Sequence, residues 1–365
     1  MRLLENKQSV RGVVGMNNLH SGDAANAVLH SLLHLPIFRN YLLLESNYTF
    51  DDKPASTLFA QLGNLTKRIW NSSPWRPTVS PHELLQEISL RSDGKYGVGA
   101  KCDPLEFYSW LINTLHRDLL SDMKRRDIKR VSSSAISDMF QGLVVIRSER
   151  LKQRASEHVE VAQSSSMNID ESSMSHDSSH PSSSDTSSTL RNPDGTVTSK
   201  TTPFFHLQLD LPVVTLLKDE KSKTASLQVP IFTLLTKFDG RTKQFVAATK
   251  EHRTYKIQAL PQYLMFFVKR FTQNMYLIEK NHTIVNFPVD ELDMADYTDE
   301  TTRTKYSLSA YICHTGDAPN GSCLARYYHK ANRKWYNCQD TTAEPMLAED
   351  HFVAEAYILF YERCV

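Results

Sequence analysis

The chain has 365 residues, 40% of them hydrophobic and 23% charged, and a formal net charge of +1. This is the balance of a globular protein with ample core material, in one large domain with insertions or in two, and it provides no global field that would draw nucleic acid or an anionic membrane. No run reaches the ~18 apolar residues of a membrane span, the N-terminus has no apolar signal region, and the five cysteines (Cys102, Cys313, Cys323, Cys338 and Cys364) form no C-x-x-C pair, so the cysteines read as reduced thiols of an intracellular protein.

The first element is announced by "GMNNLHSGDAANAVLHSLLHL" (Gly15–Leu35), a polar turn running into Val28, Leu29, Leu32, Leu33 and Leu35 at helical spacing after Asp23. A turn feeding a helix N-terminus is a good place for a nucleophile, yet the residue there is Asp23. A carboxylate suits that place as a cap or as a first-turn charge. "SPHELLQEISL" (Ser80–Leu90) reads as a second helix with Ser80 as cap, Pro81 in the first turn and Glu83 placed for a capping box. "DPLEFYSWLINTLHRDL" (Asp103–Leu119) repeats that grammar, with Asp103 as cap and Phe107, Trp110, Leu111 and Leu115 on one face. The basic run "MKRRDIKR" (Met123–Arg130) reads as a solvated helix face rather than a nuclear signal.

The chain then changes character. "GLVVIRSER" (Gly142–Arg150) is a β-branched run, and a serine-rich stretch, Ser164–Leu190, follows it with too little apolar surface to offset the entropy of ordering it. "FHLQLDLPV" (Phe205–Val213) alternates as a strand, so the serine-rich piece is expected as an insertion at about 163–200 between two strands of one domain. Tyr263–Phe271, Tyr306–His314, Cys323–Lys330, Lys334–Asp340 and Glu355–Arg363 are short aromatic and β-branched runs between polar turns. Helices first and an antiparallel sheet later predict an α+β fold.

In this order the stretches resemble the boxes of the ubiquitin-specific proteases, papain-like cysteine enzymes. The matching stretches are "GMNNLHSGDAANAVLHSL", "DPLEF", "FQGLV" (Phe140–Val144), "LPQYLMFFVKRF" with "VNFP" (Leu260–Phe271 and Val285–Pro288), and "YSLSAYICHTGDAPNGSCLARYY" followed by "WYNCQD". The resemblance implies a ubiquitin-specific protease fold with a helical thumb and a β-rich palm and fingers over about residues 10–363. It also implies that the catalytic positions have been replaced. Asp23 stands for the nucleophilic cysteine and Ser21 for the asparagine that helps bind the oxyanion. Ser322, in Gly321-Ser322-Cys323, stands for the general-base histidine, and Gln339 for the residue that orients it. Amide cleavage by this route needs a thiolate, a base and an orienting group, and none of these side chains supplies its part. Asp340 is expected to survive as a structural acceptor. A relocated Cys323/His314 pair is the alternative to a buried strand cysteine and an ordinary loop histidine, and no helix N-terminus is expected beside Cys323. Cys313 and His314, as neighbours in a strand, point to opposite faces.

Further details resemble a catalytically silent branch of the family associated with the spliceosomal tri-snRNP: "PFFHLQLDLPVVTLLKDEK", "VPIFTLLTKFDG" and "TIVNFP". Three implications follow. The chain is expected to be a nuclear, non-catalytic scaffold in pre-mRNA splicing with tri-snRNP proteins as partners. The alternative is a pseudo-protease that binds ubiquitin or a ubiquitin-like protein without cleaving it; an active cysteine deubiquitinase ranks last. That branch carries an N-terminal zinc-finger module ahead of the stretch matched here, so the chain is expected to be a fragment, a shortened form or a divergent relative, and the fingers are expected to hold no metal, with no cofactor elsewhere.

Overall fold

The computed structural model describes residues 10–50, 53–71, 78–125, 133–150, 190–191, 197–212, 227–273, 278–316, 321–346 and 355–364. Among the described residues, six α-helices occupy the first part of the chain: α1 (Asp23–Leu33), α2 (Pro36–Leu43), α3 (Thr57–Trp70), α4 (His82–Arg91), α5 (Pro104–Arg125) and α6 (Ala135–Phe140). A short α7 (Ile231–Leu235) comes later. The strands of the two large sheets, in chain order, are β1 (Gly142–Arg150), β2 (Val197–Phe204), β3 (Leu207–Asp210), β4 (Gln244–Val246), β5 (Glu251–Ala259), β6 (Tyr263–Lys269), β7 (Lys305–Thr315), β8 (Ser322–His329), β9 (Lys334–Gln339), β10 (Thr342–Pro345) and β11 (Ala356–Arg363). No helix among the described residues is long and apolar enough to cross a membrane.

The larger sheet runs β10-β9-β8-β7-β11-β6-β3, with the short strand Leu292–Asp293 beside β7. Its pairs are antiparallel except β6 with β3. β6 and β11, both flanked by strands on either side, are buried along almost their whole length, which is why they read as unbroken apolar runs and not as alternating ones. One core lies between this sheet and α1–α6; a second lies on the opposite face, around Leu207, Leu235, Phe266, Tyr306 and Tyr361. The smaller sheet, β4-β5-β1-β2 with Leu190–Arg191 at its edge, forms the fingers.

Helix α1 is the hub. Every residue from Ala24 to Leu33 is buried, so the helix is not the one-sided stripe that its leucines suggest. Ala24, Ala25 and Ala27 let neighbouring elements approach the sides that the leucines do not fill.

Two details of helix grammar differ from expectation. α4 begins at His82 with Pro81 as its N-cap and no side-chain cap; Ser80 lies one residue too early, and Glu83 turns outward to pair with Arg68. Asp103 does cap α5: its Oδ1 accepts from the N–H groups of Leu105 (2.8 Å) and Glu106 (3.1 Å).

β1 pairs with β2 antiparallel, from Gly142 opposite Phe204 to Glu149 opposite Val197, so both flanks of the serine-rich stretch belong to one sheet. That stretch lies outside the described residues, apart from Leu190 in its short strand. Val197–Lys200, placed in the insertion by the sequence, are strand. The basic run is α5 up to Arg125, and its remainder also lies outside the described residues.

Candidate functional site

The site is the junction where the N-terminus of α1 meets the first residues of β8. The loop ahead of α1 is tightly determined. His20 and Ser21 both have left-handed backbones (φ 56° and 58°), and Gly99 donates to Leu19 O at 3.1 Å. Two successive non-glycine residues in this region cost about 1–3 kcal/mol each, so the surrounding contacts must hold the loop. Asn18 is one such contact. Its Oδ1 accepts from Gly22 N–H at 2.8 Å, and its side chain also hydrogen-bonds Asp340.

Gly22 is the N-cap of α1, and Asp23 is its first residue. Asp23 therefore contributes a first-turn charge; it does not cap the helix. Its carboxylate reaches across to the sheet, where Oδ2 accepts the N–H of Cys323 at 2.7 Å. The expectation of no helix N-terminus beside Cys323 is thus corrected: the two segments are 300 residues apart in sequence and adjacent in space. Ser322 is half-buried at the start of β8, opposite Thr315, whose hydroxyl donates to Ser322 O at 3.1 Å. Gln339 is exposed at the end of β9, and Ser21 is exposed on its loop. The side chains of Ser21, Ser322 and Gln339 make no hydrogen bond to one another among the described contacts.

Asp340 lies in the two-residue turn between β9 and β10 with a left-handed backbone (φ 49°), and its main-chain carbonyl accepts from Met16 at 2.7 Å. The accepting atom is the main-chain carbonyl; the side chain's Oδ1 has no hydrogen-bond partner among the described residues. Burial raises its carboxyl above the ordinary range; the bond from Asn18 opposes this, and the negative charge of Asp23 adds to it.

The thiols near the junction are held protonated. Burial pushes Cys102 up to about 12, with Asp103 and Asp23 adding to the shift. Cys323 is raised further still by burial, and Asp23 and Asp103 reinforce it. A thiolate needs the opposite surroundings: a nearby cation or a helix N-terminus free of competing anions. His314 stands directly opposite Cys323 in the β7–β8 register, while Cys313 packs into the second core; the two neighbours point to opposite faces as expected. The His314 ring lies against Gly321, where an added Cβ would come within 2.0 Å of it, and packs edge-on against Phe271 at 4.9 Å. Burial and Lys280 lower its basicity. The cross-strand Cys323–His314 arrangement therefore pairs a protonated thiol with a weakened base.

Two contributors had no local sequence signal. Tyr357 donates to Asp103 Oδ2 at 2.7 Å, so one aspartate caps α5 with one oxygen and ties it to β11 with the other. Asn18, and not Ser21, is the polar side chain that the loop brings to Asp340. Among the described residues, no cluster of three or more His, Cys, Asp or Glu side chains could hold a metal ion.

The model of the family described as ubiquitin carboxyl-terminal hydrolase matches residues 14–361. The chain belongs to the ubiquitin carboxyl-terminal hydrolase family. Among its relatives, mouse ubiquitin carboxyl-terminal hydrolase 39 is 33% identical over 96% of this chain and 59% of its own length. The probable mRNA-splicing protein ubp10 of Schizosaccharomyces pombe is 31% identical over 98% of this chain and 66% of its own length. The chain thus spans about three fifths to two thirds of these hydrolase-family relatives. Two solved structures share the fold. An essential yeast splicing factor has a TM-score of 0.62 at 22% identity, covering 98% of this chain and 71% of that one. A SAGA Ubp8/Sgf11/Sus1/Sgf73 deubiquitinating module bound to ubiquitin aldehyde has 0.67 at 16%, covering 100% and 72%. The helices and the two sheets are accordingly the α+β architecture of ubiquitin-specific proteases.

Proposed function

We propose that the chain is a non-catalytic member of the hydrolase family that serves as a scaffold in pre-mRNA splicing, in the nucleus, among the proteins of the spliceosomal tri-snRNP. Its splicing role is supported by the relatives: one is named as an mRNA-splicing protein, and one structure of the same fold is a splicing factor. One observation carries the loss of catalysis. Asp23, at the position read as the nucleophile, is a carboxylate already engaged by the Cys323 amide. A carboxylate is a poor nucleophile toward an amide, and no thiol at the junction is poised to ionise near neutral pH.

Affinity purification from nuclear extract tests the splicing role, with recovery of spliceosomal small nuclear RNAs expected. A ubiquitin carboxy-terminal amide substrate and an electrophilic ubiquitin probe test the lost chemistry. Neither hydrolysis nor labelling is expected, and labelling abolished by replacing one cysteine would refute the non-catalytic reading.

The fold shared with a module bound to ubiquitin aldehyde favours a second reading, in which the chain binds ubiquitin or a ubiquitin-like protein without cleaving it. Recovery of ubiquitin conjugates without small nuclear RNAs would favour that reading.

A further inference from the structure

The hydrogen bond between Asp23 and Cys323 has a cause in the sheet. In β7, the N–H of His314 bonds to Glu355 O at 3.0 Å, on the side away from β8. His314 and Cys323 are therefore a pair that exchanges no ladder bonds, and the N–H of Cys323 points away from β7, toward the β9 side. The β8–β9 ladder ends at Ala325 opposite Cys338. The next residue on that side would be Asp340, but Asp340 sits in the left-handed turn into β10, and its carbonyl accepts from Met16 instead. The amide of Cys323, a residue only 5% exposed, is thus left without a ladder acceptor. A buried N–H without an acceptor is destabilising, because it has given up water and gained no partner in return. Asp23 fills that vacancy from another element, and its charge also suits the first turn of α1.

We propose that Asp23 is a clasp: its carboxylate closes the gap where β9 leaves β8, locks the start of α1 onto the sheet, and so keeps the junction shut. This deepens the non-catalytic reading and rests on it. In a working hydrolase, the nucleophile at this place must be free to meet a peptide carbonyl. Here the side chain is tied back to the protein and is a carboxylate, engaged by a backbone amide. A peptide entering the junction would have to break the clasp and leave the Cys323 amide bare.

Amide hydrogen exchange of the free full chain tests this without any partner, so its result is independent of whether splicing components or ubiquitin are recovered. Three proteins are compared: wild type, Asp23→Asn and Asp23→Ala. Asparagine still offers an oxygen to the Cys323 N–H; alanine offers none. Exchange at Cys323 is expected to rise about tenfold or more in Asp23→Ala, with the Ala325 and Tyr327 amides unchanged, and to stay within about twofold of wild type in Asp23→Asn. If Asp23→Ala leaves Cys323 as protected as in wild type, the clasp is wrong. If Asp23→Asn opens Cys323 as far as alanine does, charge and not the bond holds the junction, and the proposal also fails. Should alanine loosen the whole domain, exchange would rise across β8 together, and the asparagine result decides.

Discussion

The two ends of α1 are fastened to the same strand, β8, by opposite kinds of chemistry. At the start, a carboxylate of intermediate exposure accepts one backbone N–H. At the end, aromatic rings do the work inside the core. His34 places Nε2 at 2.8 Å from Gly12 O and Nδ1 at 2.6 Å from His30 O, and stacks on Tyr327 with ring centroids 3.5 Å apart. Tyr327 donates to the same Gly12 carbonyl at 3.2 Å, and His329 faces Arg11 O at 2.8 Å. Trp70 closes over Gly12, whose φ of +85° and missing Cβ are both required there: an added Cβ would lie 2.7 Å from the indole. The far end of α1 thus holds the incoming chain by its backbone, while the near end holds only the sheet. Both attachments together fix where α1 lies against the sheet.

Core packing should outweigh either attachment. Leu29 and Leu32 are 0% and 1% exposed in the middle of α1. Replacing either by alanine is expected to cost ~2–5 kcal/mol, read from the denaturant midpoint at unchanged slope. A loss below ~1 kcal/mol at both positions would mean that α1 is not the hub and that its two ends carry the stability.

The ends should also part company in acid. Burial lowers His30 to about 3, helped by His34, and lowers His34 to about 4 against the pull of its two carbonyl partners. Both values lie below the unfolded value of about 6.5. The unfolded chain therefore binds more protons between these limits. The stability contributed by a neutral His30 is complete above about pH 6.5 and is lost as pH falls toward 3. Both His30 ring nitrogens lack a hydrogen-bond partner among the described residues, so His30→Leu removes a titrating group and forfeits no described bond. The variant should be as stable as wild type or more stable at pH 7. It should also lose up to ~1.4 kcal/mol less per pH unit below 6, measured by denaturation at stepped pH. Parallel curves for the two proteins would show that His30 is not buried as a neutral ring.

The contrast also shows what a sequence can display. The helix, its Asp at the start, the strand boxes and their order were legible because each rests on local periodicity or on a short contiguous motif. The junction was not, because its defining bond joins residues 300 apart, and its cause is the register at which β9 leaves β8. Ser80 looked like a cap by spacing, but Glu83 finds Arg68 on α3, so the local signal lost to a tertiary partner. Ser21 stands, by resemblance, for the asparagine that helps bind the oxyanion, while the loop's left-handed turn at His20 and Ser21 leaves Asn18 as the side chain that meets Asp340. His30 and His34 did leave a trace, two histidines four apart in an otherwise apolar helix, a pattern that marks a shared buried face.

The smallest expected effect is at Asp23, and it separates the clasp from a functional contact. Removing one hydrogen bond that involves a partly exposed carboxylate should cost ~1–2 kcal/mol in Asp23→Ala, through the bare Cys323 amide and the lost first-turn charge. Asp23→Asn keeps an acceptor and loses only the charge, so a few tenths of a kcal/mol are expected, up to ~1. If Asp23 serves architecture alone, splicing complementation should follow these stabilities. The leucine variants of α1 fail, Asp23→Ala passes with a heat-sensitive defect, and Asp23→Asn is indistinguishable from wild type. A well-folded Asp23→Asn protein that cannot support splicing would break this order. The carboxylate would then be needed for its charge by something outside the chain, and the position read as the nucleophile would be a contact site as well as a clasp.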